Sequence, residues 1–95
     1  METLFLIYDE SLESEISGII ERGMIISRYT RVDNVVGARM VEREATGFLA
    51  DRRNRLILVI AEPPTMARLV DDLRELRTRK GHGLRAFVVK AETVI

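Results

Sequence analysis

The stretch Leu56–Ala61 (LILVIA) is six apolar residues in a row, read with the residue before it as a central buried strand Arg55–Ala61, and closed by Glu62-Pro63-Pro64. A strand with one solvated face alternates apolar and polar residues, whereas this one is apolar at both parities and needs cover on both faces. It is short for a helix and far below the ~20 residues of a membrane span. Pro63-Pro64 ends the strand and suits the first turn of a helix. Met66, Leu69, Val70, Leu73 and Leu76 then recur at helical spacing. Arg74, Arg77, Arg79 and Lys80 gather toward the end of that helix, where the macrodipole favours cations. Gly81-His82-Gly83 reads as a turn, and Leu84–Ala91 (LRAFVVKA) as a last strand.

The first half repeats this plan. Thr3–Tyr8 (TLFLIY) has strand length, and Asp9-Glu10-Ser11 supplies a turn with N-cap candidates. Leu12, Ile16, Ile19 and Ile20 form one helical face, with Glu10, Glu13 and Glu15 crowding its first turn. Gly23 suits the left-handed position that ends the helix. Met24–Ile26 and Tyr29–Val36 read as the next strand, kinked at Ser27-Arg28, with Val32, Val35 and Val36 favouring extended backbone. The segment Gly37–Asn54 (GARMVEREATGFLADRRN) is charged and weakly periodic, and is read as a long loop in which Met40–Glu44 extends the strand. Connections of that length are commonly functional.

The order β-α-β-β-α-β over residues 1–95 predicts one α+β domain of ferredoxin-like layout, a four-stranded antiparallel sheet with both helices on one face. Yet both strand parities are apolar: Leu4 and Leu6 against Phe5 and Ile7, and Ile57 and Val59 against Leu56, Leu58 and Ile60. The face without helices is therefore expected to be covered by further copies of the chain, in a closed ring.

Charge and composition narrow the function. The chain has 15 basic and 15 acidic side chains, interspersed, which argues against a nucleic-acid partner. There is no cysteine, hence no disulfide, thiolate metal site or cysteine nucleophile. With acids rather than bases at the N-terminus and no membrane span, a cytoplasmic protein without membrane insertion is expected. The serines have no neighbouring histidine or nucleophile elbow, and His82 is the only histidine, so the chain is not expected to be an enzyme. Two segments remain as candidates. In Arg79–Arg85, glycines and flanking bases are the materials of an anion-binding turn, and equally of a plain connection after a helix. His82 is either a turn residue or a polar group facing a ligand. Gly37–Asn54 is either a solvated hairpin extension or a partner-docking loop whose shape follows ligand state.

Three stretches resemble the PII-like signalling proteins, relatives of the nitrogen regulatory protein PII: the opening TLFLIYDESLESEI, Arg28–Val32 ahead of Val35-Val36-Gly37, and the closing Gly83–Val88. The resemblance runs along essentially the whole chain. It implies a ferredoxin-like subunit, a homotrimer with its sheets inside, and a small effector, commonly an adenine nucleotide (ADP, AMP or ATP), in clefts between subunits. It also implies a T-loop that reports ligand state to a target protein, a transporter or an enzyme. Residues 37–54 stand at the place of that T-loop and Arg79–Arg85 at that of the phosphate-contacting B-loop. Gly37 and Arg39 match the base of the T-loop, and Gly81, Gly83 and Arg85 correspond to the B-loop glycines and base, with His82 between them. The T-loop segment has no tyrosine, Met40 replaces the glutamine that follows the loop-base arginine, and the C-terminal arginine pair of PII is missing. The effector is thus left open among ADP, AMP, a cyclic nucleotide, a small anion such as bicarbonate, or a metal. The alternatives are a CutA-type divalent-metal-associated trimer, which the single histidine disfavours, and a structural adaptor that binds no small molecule.

Overall fold

The computed structural model describes residues 1–22, 29–40 and 49–95. Along the chain lie β1 (Glu2–Asp9), a 3-10 turn (Glu10–Leu12), α1 (Glu13–Arg22), β2 (Thr30–Met40), β3 (Leu49–Ala61), α2 (Pro63–Lys80) and β4 (Leu84–Lys90). The four strands form one sheet in the order β2-β3-β1-β4, with every neighbouring pair antiparallel. This is the ferredoxin-like α+β layout expected from the element order.

The core lies between the helices and one sheet face. Leu4, Leu6 and Tyr8 of β1 point into it, with Ile57 and Val59 of β3 beside them. Leu12, Ile16, Ile19 and Ile20 cover them from the first helical segment, and Met66, Leu69, Leu73 and Leu76 from α2. Every residue of the α1 periodicity is buried, as are those of α2 except Val70, which packs half-buried against the cluster. Asp9 opens the first helical segment, its carboxylate accepting from the Ser11 N–H at 2.9 Å. At the other end of the molecule's sequence, Gly81 closes α2 at φ 81°, and its N–H donates to the Arg77 carbonyl at 2.8 Å.

The opposite sheet face is apolar and carries no helix. Phe5 lies between Leu58 and Phe87, and Thr3 between Ile60 and Val89. Ile60 is 58% exposed and Phe87 52%.

The two ends of the segment 37–54, expected as a long loop, are strand instead, residues 37–40 in β2 and 49–54 in β3. β2 continues to Met40 and β3 begins at Leu49, with Gly37 opposite Arg52, Ala38 opposite Asp51 and Arg39 opposite Ala50. The described part of this ribbon is paired strand to strand through its backbone, a pattern that apolar alternation in the sequence does not have to signal. Between Val32 and Val35 the ladder gains one residue on β2, a bulge at which Asn34 takes φ 59°. Asparagine is among the residues that tolerate this left-handed conformation. The Gly23 helix stop, the strand Met24–Ile26, the kink at Ser27-Arg28 and the 41–44 part of the strand extension lie outside the described residues.

Candidate functional site

The turn between α2 and β4 holds three of the candidate residues. Gly83 sits at φ 95°, and its carbonyl accepts from the Asp9 N–H at 2.7 Å, tying the turn to the end of β1. A Cβ on Gly83 would stand 3.1 Å from Leu12 Cδ1, so both the backbone angle and the close approach require glycine here. The Gly81 N–H is committed to Arg77, and Arg77 Nη1 donates in return to the Gly81 carbonyl. The anion-binding capacity of the turn therefore rests on groups other than the Gly81 amide. His82 is exposed at its tip, and Arg85, also exposed, follows on β4 opposite Ile7.

Gly37 and Arg39 stand on β2, at the other edge of the sheet. Gly83 bonds Asp9, Asp9 pairs with Asn54, and Asn54 with Val35, so one row crosses the sheet from the turn to β2 just before Gly37. The two groups thus share an end of the sheet but occupy opposite edges, three strand spacings or about 14 Å apart. Within one chain Gly81, His82, Gly83 and Arg85 are brought together, and Gly37 and Arg39 are not brought to them.

A groove of about 350 Å³ runs between α2 and β4. Val70, Leu73, Leu84, Ala86 and Val88 line it with Arg74 and Arg77 of α2; Arg85 borders it from β4, where its pairing with Ile7 sets its side chain on the helix-free face. Arg85 was a sequence candidate; Arg74 and Arg77 were read only as cations matched to the helix dipole. Their i, i+3 spacing shows that they share a helix face, but only the packing of β4 beside that face makes it the wall of a groove.

A second polar cluster ties α1 to the sheet. The Glu13 carboxylate accepts from the Tyr8 hydroxyl at 2.9 Å, from Ser17 Oγ at 2.7 Å, and from Arg55 Nη1. Arg31 Nη1 approaches it at 3.4 Å, and Asp33 pairs with Arg31 Nε at 3.0 Å and with Arg55 Nε at 3.4 Å. Burial opposes ionisation of Glu13, but the hydrogen bonds from Ser17, Tyr8 and Arg55 outweigh it and hold the carboxyl below its ordinary value. Burial, with the hydrogen bond to Glu13 and its charge, pushes the Tyr8 hydroxyl up, so it remains a donor. The Glu13 carboxylate is answered from within the chain by Tyr8, Ser17 and Arg55, which marks the cluster as a structural joint between α1 and the sheet. Among the described residues no three His, Cys, Asp or Glu side chains converge as a metal site, and no helix is long and apolar enough to cross a membrane.

No family model matches the chain, and no curated protein matches it. Solved structures do. CPII, a nitrogen regulatory PII-like protein from Thiomonas intermedia K12 bound to ADP, AMP and bicarbonate, is 14% identical at a TM-score of 0.72, over 99% of this chain and 94% of that one. The apo form of the same protein is 16% identical at a TM-score of 0.69, over 93% and 85%. A DUF3240 family protein from Shewanella baltica OS155 is 16% identical at a TM-score of 0.64, over 97% and 90%. The chain has the fold of the PII-like protein CPII, nearly end to end.

Proposed function

We propose that the chain is a non-enzymatic PII-like signalling protein: a cytoplasmic homotrimer that binds a small effector between subunits and regulates a target protein, a transporter or an enzyme, through residues 37–54. The effector is an adenine nucleotide or a small anion. The observation that carries this reading is the placement of the candidate residues. Gly37 and Arg39 lie on one sheet edge and Gly81, His82, Gly83 and Arg85 on the other, at the same end. Chains set edge to edge around a ring bring the β2 edge of one against the β4 edge of the next, and both groups then face one cleft. Two further facts support it. The sheet face without helices is apolar and exposed, as a face covered by other copies would be. CPII, which has this fold, is described as bound to ADP, AMP and bicarbonate.

Effector binding in such a cleft orders or redirects the β2–β3 ribbon only if its affinity differs between two ribbon states. Calorimetric titration of the purified chain with ADP, AMP, ATP and bicarbonate, beside light scattering for oligomeric state, tests the reading. It expects a trimer with nucleotide or bicarbonate binding that Arg39→Ala and Arg85→Ala both weaken. A monomer silent to all four ligands overturns it. Tight zinc or copper binding lost in His82→Ala would establish the metal-linked alternative instead.

A further inference from the structure

The β2–β3 ribbon leaves the sheet at a single row. β1 pairs with β3 no further than Asp9 opposite Asn54, so among the described residues 49–53 of β3 have β2 as their one strand neighbour. The bulge stands at that row. Val32 lies opposite Leu56 and Val35 opposite Asn54, which leaves Asp33 and Asn34 together opposite Arg55. An extra residue bends its strand and steepens the local twist, and Asn34 takes φ 59° there. The charges of the Glu13 cluster meet across this bend. Glu13 is the fixed side, held by Tyr8 and Ser17 and bonded directly by Arg55 Nη1. Both links that reach it from β2 are longer. Arg31 Nη1 stands 3.4 Å from Glu13, and Asp33 Oδ1 stands 3.4 Å from Arg55 Nε, a buried atom that makes no hydrogen bond. Within β2, Asp33 and Arg31 hold each other at 3.0 Å.

We propose that these residues form a latch. While its ion pairs are made, Arg31 and Asp33 pin the bulged part of β2 to α1 and β3. When the two long links part, the ribbon beyond the bulge opens ahead of the rest of the sheet. Three observations favour a latch over a plain brace. The links sit at the exit row, so they act on the ribbon more than on the four-stranded part of the sheet. Arg31 and Asp33 are 41% and 46% exposed, and ion pairs so placed contribute little to global stability. Val36 and Arg53, the first pair beyond the exit row, are both exposed, and regions with few buried contacts open first. The cluster also balances only as a whole. Two acids answer two arginines, so loss of the Asp33 charge leaves Arg31 and Arg55 sharing Glu13 alone, and the two cations repel. The latch rests on geometry within one chain and not on effector binding. It sets the resting state of the segment through which the proposed regulation acts.

The test is amide hydrogen exchange of the full chain, followed by NMR, in wild type, Asp33→Asn, Arg31→Gln and Lys80→Gln. The last breaks an exposed pair between the helices, Lys80 with Glu15 at 3.2 Å, and serves as the control. Thermal melts confirm that each variant is folded. The expected result is exchange about threefold or more faster at residues 36–40 and 49–53 in Asp33→Asn and in Arg31→Gln, with β1 and β4 unchanged, and wild-type rates throughout in Lys80→Gln. Salt gives a second readout without a substitution. At about 1 M salt the screening length falls to about 3 Å, which should speed ribbon exchange relative to β4 in wild type and less so in Asp33→Asn. Equal acceleration over all four strands would make the cluster a brace of the whole fold and overturn the latch. Unchanged ribbon rates in both variants would overturn it too. If Asp33→Asn does not fold, Arg31→Gln and the salt response of wild type decide by the same criteria.

Discussion

The Tyr8 hydroxyl donates to Glu13 Oε1 at 2.9 Å, linking the last core residue of β1 to the first residue of α1. Tyr8 is 1% exposed, and its hydroxyl emerges from the core at the one carboxylate that also gathers Ser17, Arg31 and Arg55. The register makes this junction possible: Arg55 pairs with Tyr8 across β1–β3, so both side chains rise on the helix face. Tyr8→Phe removes one bond to a charged acceptor that keeps its other donors. It is expected to cost about 1 kcal/mol in chemical denaturation, with the fold unchanged by circular dichroism.

The same joint gives acid sensitivity. The Glu13 carboxyl titrates below its ordinary 4.5 in the folded chain. A carboxyl lowered by folding contributes stability above its unfolded value, and that contribution is lost as pH falls through the folded one. Denaturation midpoints of wild type should therefore fall as the solution is acidified below about pH 4.5, toward those of Glu13→Gln. The difference between the two proteins should be largest near neutrality and shrink in acid. A constant difference from pH 7 to pH 3 would contradict this account.

The two glycines of the α2–β4 turn should respond differently to alanine. Gly81 has φ 81° and open space around a would-be Cβ, so Gly81→Ala carries only the backbone penalty, about 1 kcal/mol. Gly83 has φ 95° and Leu12 at 3.1 Å, so Gly83→Ala adds steric displacement of a core residue and should cost about 2 kcal/mol or more. Thermal denaturation of the two variants checks the order, which a purely conformational cost would make equal.

Arg68 is the opposite case, a group whose removal should help. Its Nε and Nη2 are buried without a hydrogen-bond partner. Replacing an unsatisfied buried donor by an apolar chain of similar length removes a desolvation cost of about 1–3 kcal/mol. Arg68→Met is expected to raise the melting temperature; a lower one would show that the guanidinium is better solvated than its burial implies.

The apolar sheet face gives a prediction about assembly. Ile60 and Phe87 point away from the helices and are more than half exposed in the single chain. Glu at both positions leaves the helix-side core untouched. If the proposed trimer forms through this face, Ile60→Glu/Phe87→Glu is expected to elute as a folded monomer and wild type as a trimer, by size exclusion with light scattering. An unchanged trimer would place the subunit contacts elsewhere.

The amino-acid sequence by itself determined the elements that rest on short-range physics. The α1 and α2 faces follow from 3.6-residue periodicity, and Pro63-Pro64 and Gly81 bound α2 through local backbone geometry. The two-sided apolar strands already specified a sheet with a second face to cover. The β2–β3 ribbon was not legible in the same way, because Ala38–Met40 and Leu49–Arg53 are held by backbone pairing across the ladder, which leaves little pattern in side-chain polarity. Nor was the bulge at Asn34, since its extra residue is defined only against the partner strand. The strand order was decided in three dimensions, and with it the separation of Gly37 and Arg39 from the glycine turn. So was the groove: helical spacing puts Arg74 and Arg77 on one face, but only β4 packed beside α2 supplies the apolar floor between them. Periodicity encodes which face of an element is buried, whereas a site is made where elements distant in sequence meet, and that is a property of their packing.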